Sequence, residues 1–318
     1  MDSAKNSTTR IVQPQVDCNS AEEFLDAIAP WGQYFRQFSI DECWLFRGQE
    51  RDWDVLPSLF RNDNATVENL SKLTHRNIGK WGQELIEAEL LVEFFSIADS
   101  RGLILPGDSQ GLRDFLADLK SRIARSGDGA IFPDEYYDKL LPLAALAQHY
   151  GIPTQLLDWT KKVFIAAFFA AKSIPSNNEN PDERFVVWAF RFPLLGMQSY
   201  FSNDAIRVVT APGSTNPNLQ AQQGVFTALH NIYVRRYQGE KGVYPPFNKY
   251  LEYRESDDSL CGCILRKFTL PRNQAKNLLH LLAKLDITDS TIYPGYHSIV
   301  DDIRMKTLFR KLNDQRSL

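Results

Sequence analysis

The sequence predicts an α+β fold, with a mixed or antiparallel sheet and a helical insertion between the first strand and the rest. Three observations predict it. A lone β run at residues 43–47 ends at Gly48, and the pattern that follows up to residue 150 is mostly helical. The second half carries further β runs at 185–190, 206–210, 225–229 and 263–270. The chain then closes on helical pattern.

Each element has a local reason. Residues 1–17 are polar and read as a flexible tail, which leaves one domain over 18–318. No apolar run follows a basic start, so no signal peptide is expected. Ser20 and Glu23 have capping-box spacing, which predicts a helix over 21–29 closed by Pro30. Residues 62–79 are Asn-rich and read as a loop opening the insertion over 62–145. A helix over 81–98 has Leu85, Ile86, Leu90, Val92, Phe94 and Phe95 on a broad apolar face. Helices over 111–125 and 135–150 complete the insertion. Residues 160–173 are rich in Ala and Phe nearly all round, which predicts a buried helix. The run at 185–190 reads as a central strand, and Pro212-Gly213 as a turn between the next two. Residues 235–259 lack periodicity and read as a peripheral loop. An amphipathic helix over 272–285 precedes a last helix after Pro294-Gly295.

Composition excludes several classes. The 318 residues are 43% hydrophobic, enough for one large domain. A net charge of -3 and a pI near 6.0 give no global basic field for nucleic acid or an anionic membrane. The longest apolar run, 163–171, falls short of the ~18 residues of a membrane helix, so a cytoplasmic protein is expected. Cys261 and Cys263 share a strand face but lack zinc-knuckle spacing, and His75, His230 and His280 show no ligand spacing, so no metal is expected. No P-loop lysine motif, G-x-G-x-x-G, G-x-S-x-G or H-E-x-x-H motif is present.

Two segments mix apolar residues with polar ones at the ends of elements. The first holds Phe46, Arg47, Gly48, Gln49, Trp53 and the Leu-Pro-Ser-Leu-Phe-Arg run of 56–61; the second spans 146–160. Buried polar groups need partners, so the two read as walls of one pocket. Arg47 can present its fork to a phosphate or carboxylate, or pair with Asp158. Gly48 lets the backbone turn or approach a ligand. Asp158 or Thr160 caps the Ala/Phe-rich helix, whose N-terminus also suits an anion. His149, before Gly151, serves either as a base or as a partner of the helix dipole. Gln222 and Gly224 precede a strand, where Gln222 can recognise a ribose or amide or simply satisfy a turn. Gln148, Tyr150, Thr154, Trp159 and Phe226 complete the expected contacts with substrate.

The Phe46-Arg47-Gly48 triplet, the Gln148-His149-Tyr150-Gly151 run and Leu157-Asp158-Trp159-Thr160 resemble the FRG domain, a bacterial and phage family. The resemblance continues through 216–226, where the family's usual Arg is Asn218, and covers roughly residues 40–235. The order of parts is also similar to that of ADP-ribosyltransferases: an aromatic-Arg-Gly strand, a strand ending in Thr, then a helix with an A-x-x-F-A pattern. That likeness implies NAD as substrate. Arg47 would hold its pyrophosphate, Thr160 its ribose, and Trp159 or Tyr150 would stack on nicotinamide. Gln222 or Gln223 would stand where such enzymes carry a Glu or Gln. A toxin or defence effector with a protein target fits this reading. The alternative is a non-catalytic module that senses a nucleotide or phospho-ligand and contacts a partner through 62–145. A third reading, single-stranded nucleic acid on the bases and aromatics of 233–254, competes with an ordinary surface loop.

Overall fold

The computed structural model describes residues 10–38, 43–76, 82–125, 134–175, 180–192, 206–209, 217–229, 231–241, 243–254 and 263–316. Strand β1 (Val16–Asp17) and helix α1 (Ala21–Ile28) open it. Ser20 caps α1 by accepting from the Glu23 N–H, while the Glu23 carboxylate accepts from Asn19. Strand β2 (Cys43–Gln49) runs through Gly48 instead of ending there. Helices α2 (Asn64–Leu73), α3 (Gln83–Ser100), α4 (Gln110–Arg125) and α5 (Asp134–His149) form the insertion. Then come β3 (Leu157–Thr160), α6 (Val163–Lys172), β4 (Arg184–Phe192) and β5 (Ile206–Val209). Helix α7 (Pro217–Gln222), β6 (Gly224–Leu229), α8 (Asn231–Lys241), α9 (Phe247–Tyr253) and β7 (Ile264–Pro271) follow. Helices α10 (Ala275–Lys284), α11 (Asp289–Ile292) and α12 (Tyr296–Arg316) end the chain.

The fold is α+β around one mixed sheet of order β1-β7-β4-β2-β3-β6-β5. Only its β1–β7 pair is parallel among the described residues; the other five pairs are antiparallel. Strand β4 is central and apolar on both faces, as a strand covered on both sides must be. Its Phe185, Val187 and Ala189 face α1, α6 and α10. Its Val186, Trp188 and Phe190 face Leu59, Phe60, Ile86 and the α9 residues Phe247, Tyr250 and Leu251. A third cluster joins α3, α4 and α5 to Phe226 and Ala228 of β6.

Four local expectations change. Residues 10–17 are not a loose tail: Ile11 is buried, and β1 pairs with β7 through Val16↔Phe268. Residues 64–73 are helical, because Asp63 caps α2 by accepting from Thr66 N–H and its hydroxyl. The expected peripheral loop at 235–259 contains the end of α8 and all of α9, whose Phe247 and Tyr250 are fully buried. The N-cap of α6 is Lys162; Thr160 instead accepts the Lys162 N–H from just before the helix. Pro212-Gly213 and Cys261 lie outside the described residues, as does the Asn218 side chain. No helix among the described residues is long and apolar enough to cross a membrane.

Candidate functional site

Strands β2 and β3 meet at Phe46↔Thr160, and beyond that pair Gly48 and Gln49 continue with β4 as their strand partner. A cleft of about 850 Å³ opens there. Its floor is Phe46, Arg47, Gly48, Asp158, Trp159 and Thr160; Gln148, His149, Gln222, Gly224 and Phe226 also line it. The fold therefore brings both sequence segments to one place.

Arg47 is the strut of that floor. It is 7% exposed, and its Nη1 donates to the Asp158 carbonyl at 2.8 Å and to the Asp158 carboxylate at 2.5 Å. One side chain thus ties the two strands where backbone pairing stops. Its Nε is buried without a hydrogen-bond partner. Asp158 opens to the cleft, with a side chain 65% exposed. Confinement in the cleft disfavours its charge, but Arg47, with Arg61 behind it, prevails and holds the carboxyl below its usual range.

Arg61 is the second guanidinium in the cleft. The single 3-10 turn Ser58–Phe60 sets it there, since Leu59 N–H donates to the Thr154 carbonyl and Arg61 Nε donates to Leu56 O at 3.0 Å. Burial and the like charge of Arg47 push the Arg61 pKa down, against Asp158 and Asp63. Glu50, Asp63 and Asn69 also line the cleft, and Asn69 donates to the Gly151 carbonyl. Trp53 is 47% exposed on the wall. Its loop is held by α9: Phe247 N–H donates to Val55 O, and Asn248 Oδ1 accepts from Val55 N–H.

His149 ends α5, and Gly151 follows with φ +94, a left-handed turn that favours glycine. Desolvation lowers the His149 pKa, so the imidazole is neutral near pH 7. The Thr160 hydroxyl donates to the Gln222 carbonyl at 2.6 Å and accepts from Lys162 N–H, so it is engaged internally. Gln222 is held by that same bond, and the next residue, Gln223, takes φ +47 to turn α7 into β6.

Three expected contacts stand elsewhere. Gln49 is buried and accepts from the Trp188 indole N–H at 2.6 Å. Thr154 is buried and donates to Gln148 Oε1 while accepting from Leu156 N–H. Tyr150 is 68% exposed outside the cleft. Trp159 lines the floor, but its indole N–H donates to Thr227 and its ring packs on Phe190 and Phe247. It is therefore a core aromatic, as its burial requires. Gly48 also differs in role. A Cβ there would lie 2.0 Å from the Ala166 carbonyl oxygen, so its smallness admits helix α6 rather than a ligand.

Sequence reasoning placed Arg61 in the wall only as the end of the run 56–61, and it missed Glu50, Asp63 and Tyr293 as lining residues. Arg61 had a signal, since it closes the polar-ended run 56–61 beside the Arg47 segment. Tyr293 had none, because it reaches the cleft from the far end of the chain.

Among the comparisons, no curated protein and no solved structure matches. One family model does, the FRG domain, over residues 110–179. That segment spans α4 to α6 and so includes Gln148, His149, Asp158 and Thr160. Arg47 reaches the site from outside it. The FRG domain match thus covers residues 110–179, and the matched segment lines the cleft through Gln148, His149, Asp158 and Thr160.

Proposed function

We propose that the cleft binds NAD and that the protein is an ADP-ribosyltransferase-like enzyme of the toxin or defence kind, acting in the cytoplasm on a protein target. One observation carries the reading. Arg47 and Arg61 stand in the same cleft as the carboxylates Asp158 and Glu50. A cleft lined by guanidinium and carboxylate groups together can take a ligand that carries both a diphosphate and a cationic ring. NAD has that charge pattern.

The chemistry follows from the charges. When the bond between ribose C1′ and the pyridinium nitrogen breaks, nicotinamide leaves as a neutral molecule with the bonding pair. The ribose keeps an oxocarbenium cation, and the ionised Asp158 carboxylate stabilises it electrostatically until the acceptor attacks C1′ and loses its proton. Arg61 would hold the diphosphate together with Arg47. Thr160 and Gln222 would act as positioning residues, because their mutual bond fixes β3 beside α7.

Nicotinamide release from NAD tests this. Wild type is expected to release it, and Asp158→Asn, which keeps an acceptor for Arg47, to lose about a hundredfold or more in rate. No release, and no thermal stabilisation by NAD, would overturn the reading. A second reading has its own support. Asp158 is already paired with Arg47, so the carboxylate that would act is partly neutralised. A ligand-sensing module would then show NAD stabilisation without turnover.

A further inference from the structure

We infer that Tyr293 forms the subsite for the positively charged pyridinium ring and makes the cleft selective for oxidised over reduced NAD; this rests on the NAD reading above. Tyr293 lies in the turn between α11 and α12 and lines the cleft at 40% exposure. It is outside the matched FRG segment.

The residue is held as a rigid wall. Its N–H donates to the Asp289 carbonyl at 2.8 Å, and its own carbonyl accepts from the buried Ser298 hydroxyl. Asp289 is itself buried and pairs with Lys172 of α6 at 2.7 Å, while Ile292 is fully packed. The ring stands edge-on to Phe169 of α6, centroids 6.1 Å apart, which leaves it open to the cleft. A preorganised aromatic face loses little entropy on stacking.

Its electrostatic setting selects a cation. Burial first, and then the charges of Asp289 and Asp158, push the phenol pKa up. The Asp289 charge is met by Lys172, whereas Asp158 faces the same cleft as Tyr293. An electron-rich ring beside a carboxylate attracts a pyridinium and gives a neutral dihydropyridine no such advantage. The reduced dinucleotide keeps the diphosphate but loses that charge.

The test measures binding of oxidised NAD, reduced NAD and ADP-ribose to wild type, Tyr293→Phe and Tyr293→Ala. Rapid-mixing tryptophan fluorescence reads it before turnover, with a thermal melt as the folding control. Wild type is expected to prefer the oxidised form by about tenfold. Tyr293→Phe should keep the preference. Tyr293→Ala should erase it and leave ADP-ribose, which has no ring, unchanged. Unaltered preference in Tyr293→Ala, or an equal loss for ADP-ribose, would overturn the subsite while the NAD reading stands. Failure of all three ligands to bind wild type would overturn the NAD reading and the subsite with it.

Discussion

Replacing Gly48 with alanine is expected to cost the protein much of its stability. The added Cβ would lie 2.0 Å from the Ala166 oxygen, 2.8 Å from the Ala170 nitrogen and 3.0 Å from the Ala166 carbonyl carbon. All three are backbone atoms of α6, so no side chain can rotate away. Either the helix lifts from the strand or β2 bends, and both Ala166 and Ala170 are fully buried at the contact. Overpacking of a tight core costs about 1–3 kcal/mol, occasionally more. Backbone against backbone belongs at the upper end of that range, in a domain whose whole stability is of order 5–15 kcal/mol. A fall in melting temperature of roughly 4–5 °C, or insoluble protein, is the expected outcome. The displacement would also move Phe169 of α6 and Ser173, which caps its C-terminus, both of which line the cleft, so ligand binding should weaken along with stability. Wild-type melting in Gly48→Ala would mean that α6 does not rest on β2 at this point. The glycine of the aromatic-Arg-Gly triplet is therefore a packing requirement, while its arginine serves the cleft.

That division of roles was only partly legible in the sequence. Strand β4 could be read because both of its faces are buried, which leaves an unbroken apolar run. Helix α6 could be read because alanines and phenylalanines surround it. By contrast, β1 is two residues long, and only its pairing with β7 makes it a strand. Helix α9 hides its period, since Phe247, Tyr250 and Leu251 stand among charged and polar neighbours. In the site, Arg47 and Asp158 announced themselves as polar residues at strand ends, and they meet. Gln49 and Thr154 gave the same kind of signal, yet Trp188 and Gln148 satisfy them inside the fold. A sequence shows that a buried polar group needs a partner but not which partner it finds. Tyr293 depends on how the last helices fold back on the cleft, which local pattern does not encode.

The buried carboxyl of Glu87 should make stability fall as pH rises. Glu87 is 1% exposed on α3; its Oε1 accepts the Gln155 N–H at 3.0 Å, and its Oε2 is buried without a hydrogen-bond partner. Burial raises its pKa from 4.5 to about 8, with Glu84 adding to the rise and the Gln155 bond opposing it. Between those two values the folded chain keeps a proton that the unfolded chain has released. Stability therefore declines as pH rises through that window, by at most about 1.4 kcal/mol per pH unit for this group. Below about 4.5 the penalty is absent, and above about 8 it is complete. Glu87→Gln keeps an oxygen for the Gln155 N–H and removes the titration. Urea unfolding at pH 5, 7 and 9 should show the variant gaining on wild type as pH rises, by a few kcal/mol at pH 9. Parallel profiles for the two proteins would show that the Glu87 carboxyl is not buried as described. The same contact reaches the cleft, because Gln155 lies in the segment between His149 and Asp158. Ionising Glu87 places an uncompensated charge beneath that segment, so alkaline pH should loosen the wall that carries both residues before the sheet itself unfolds.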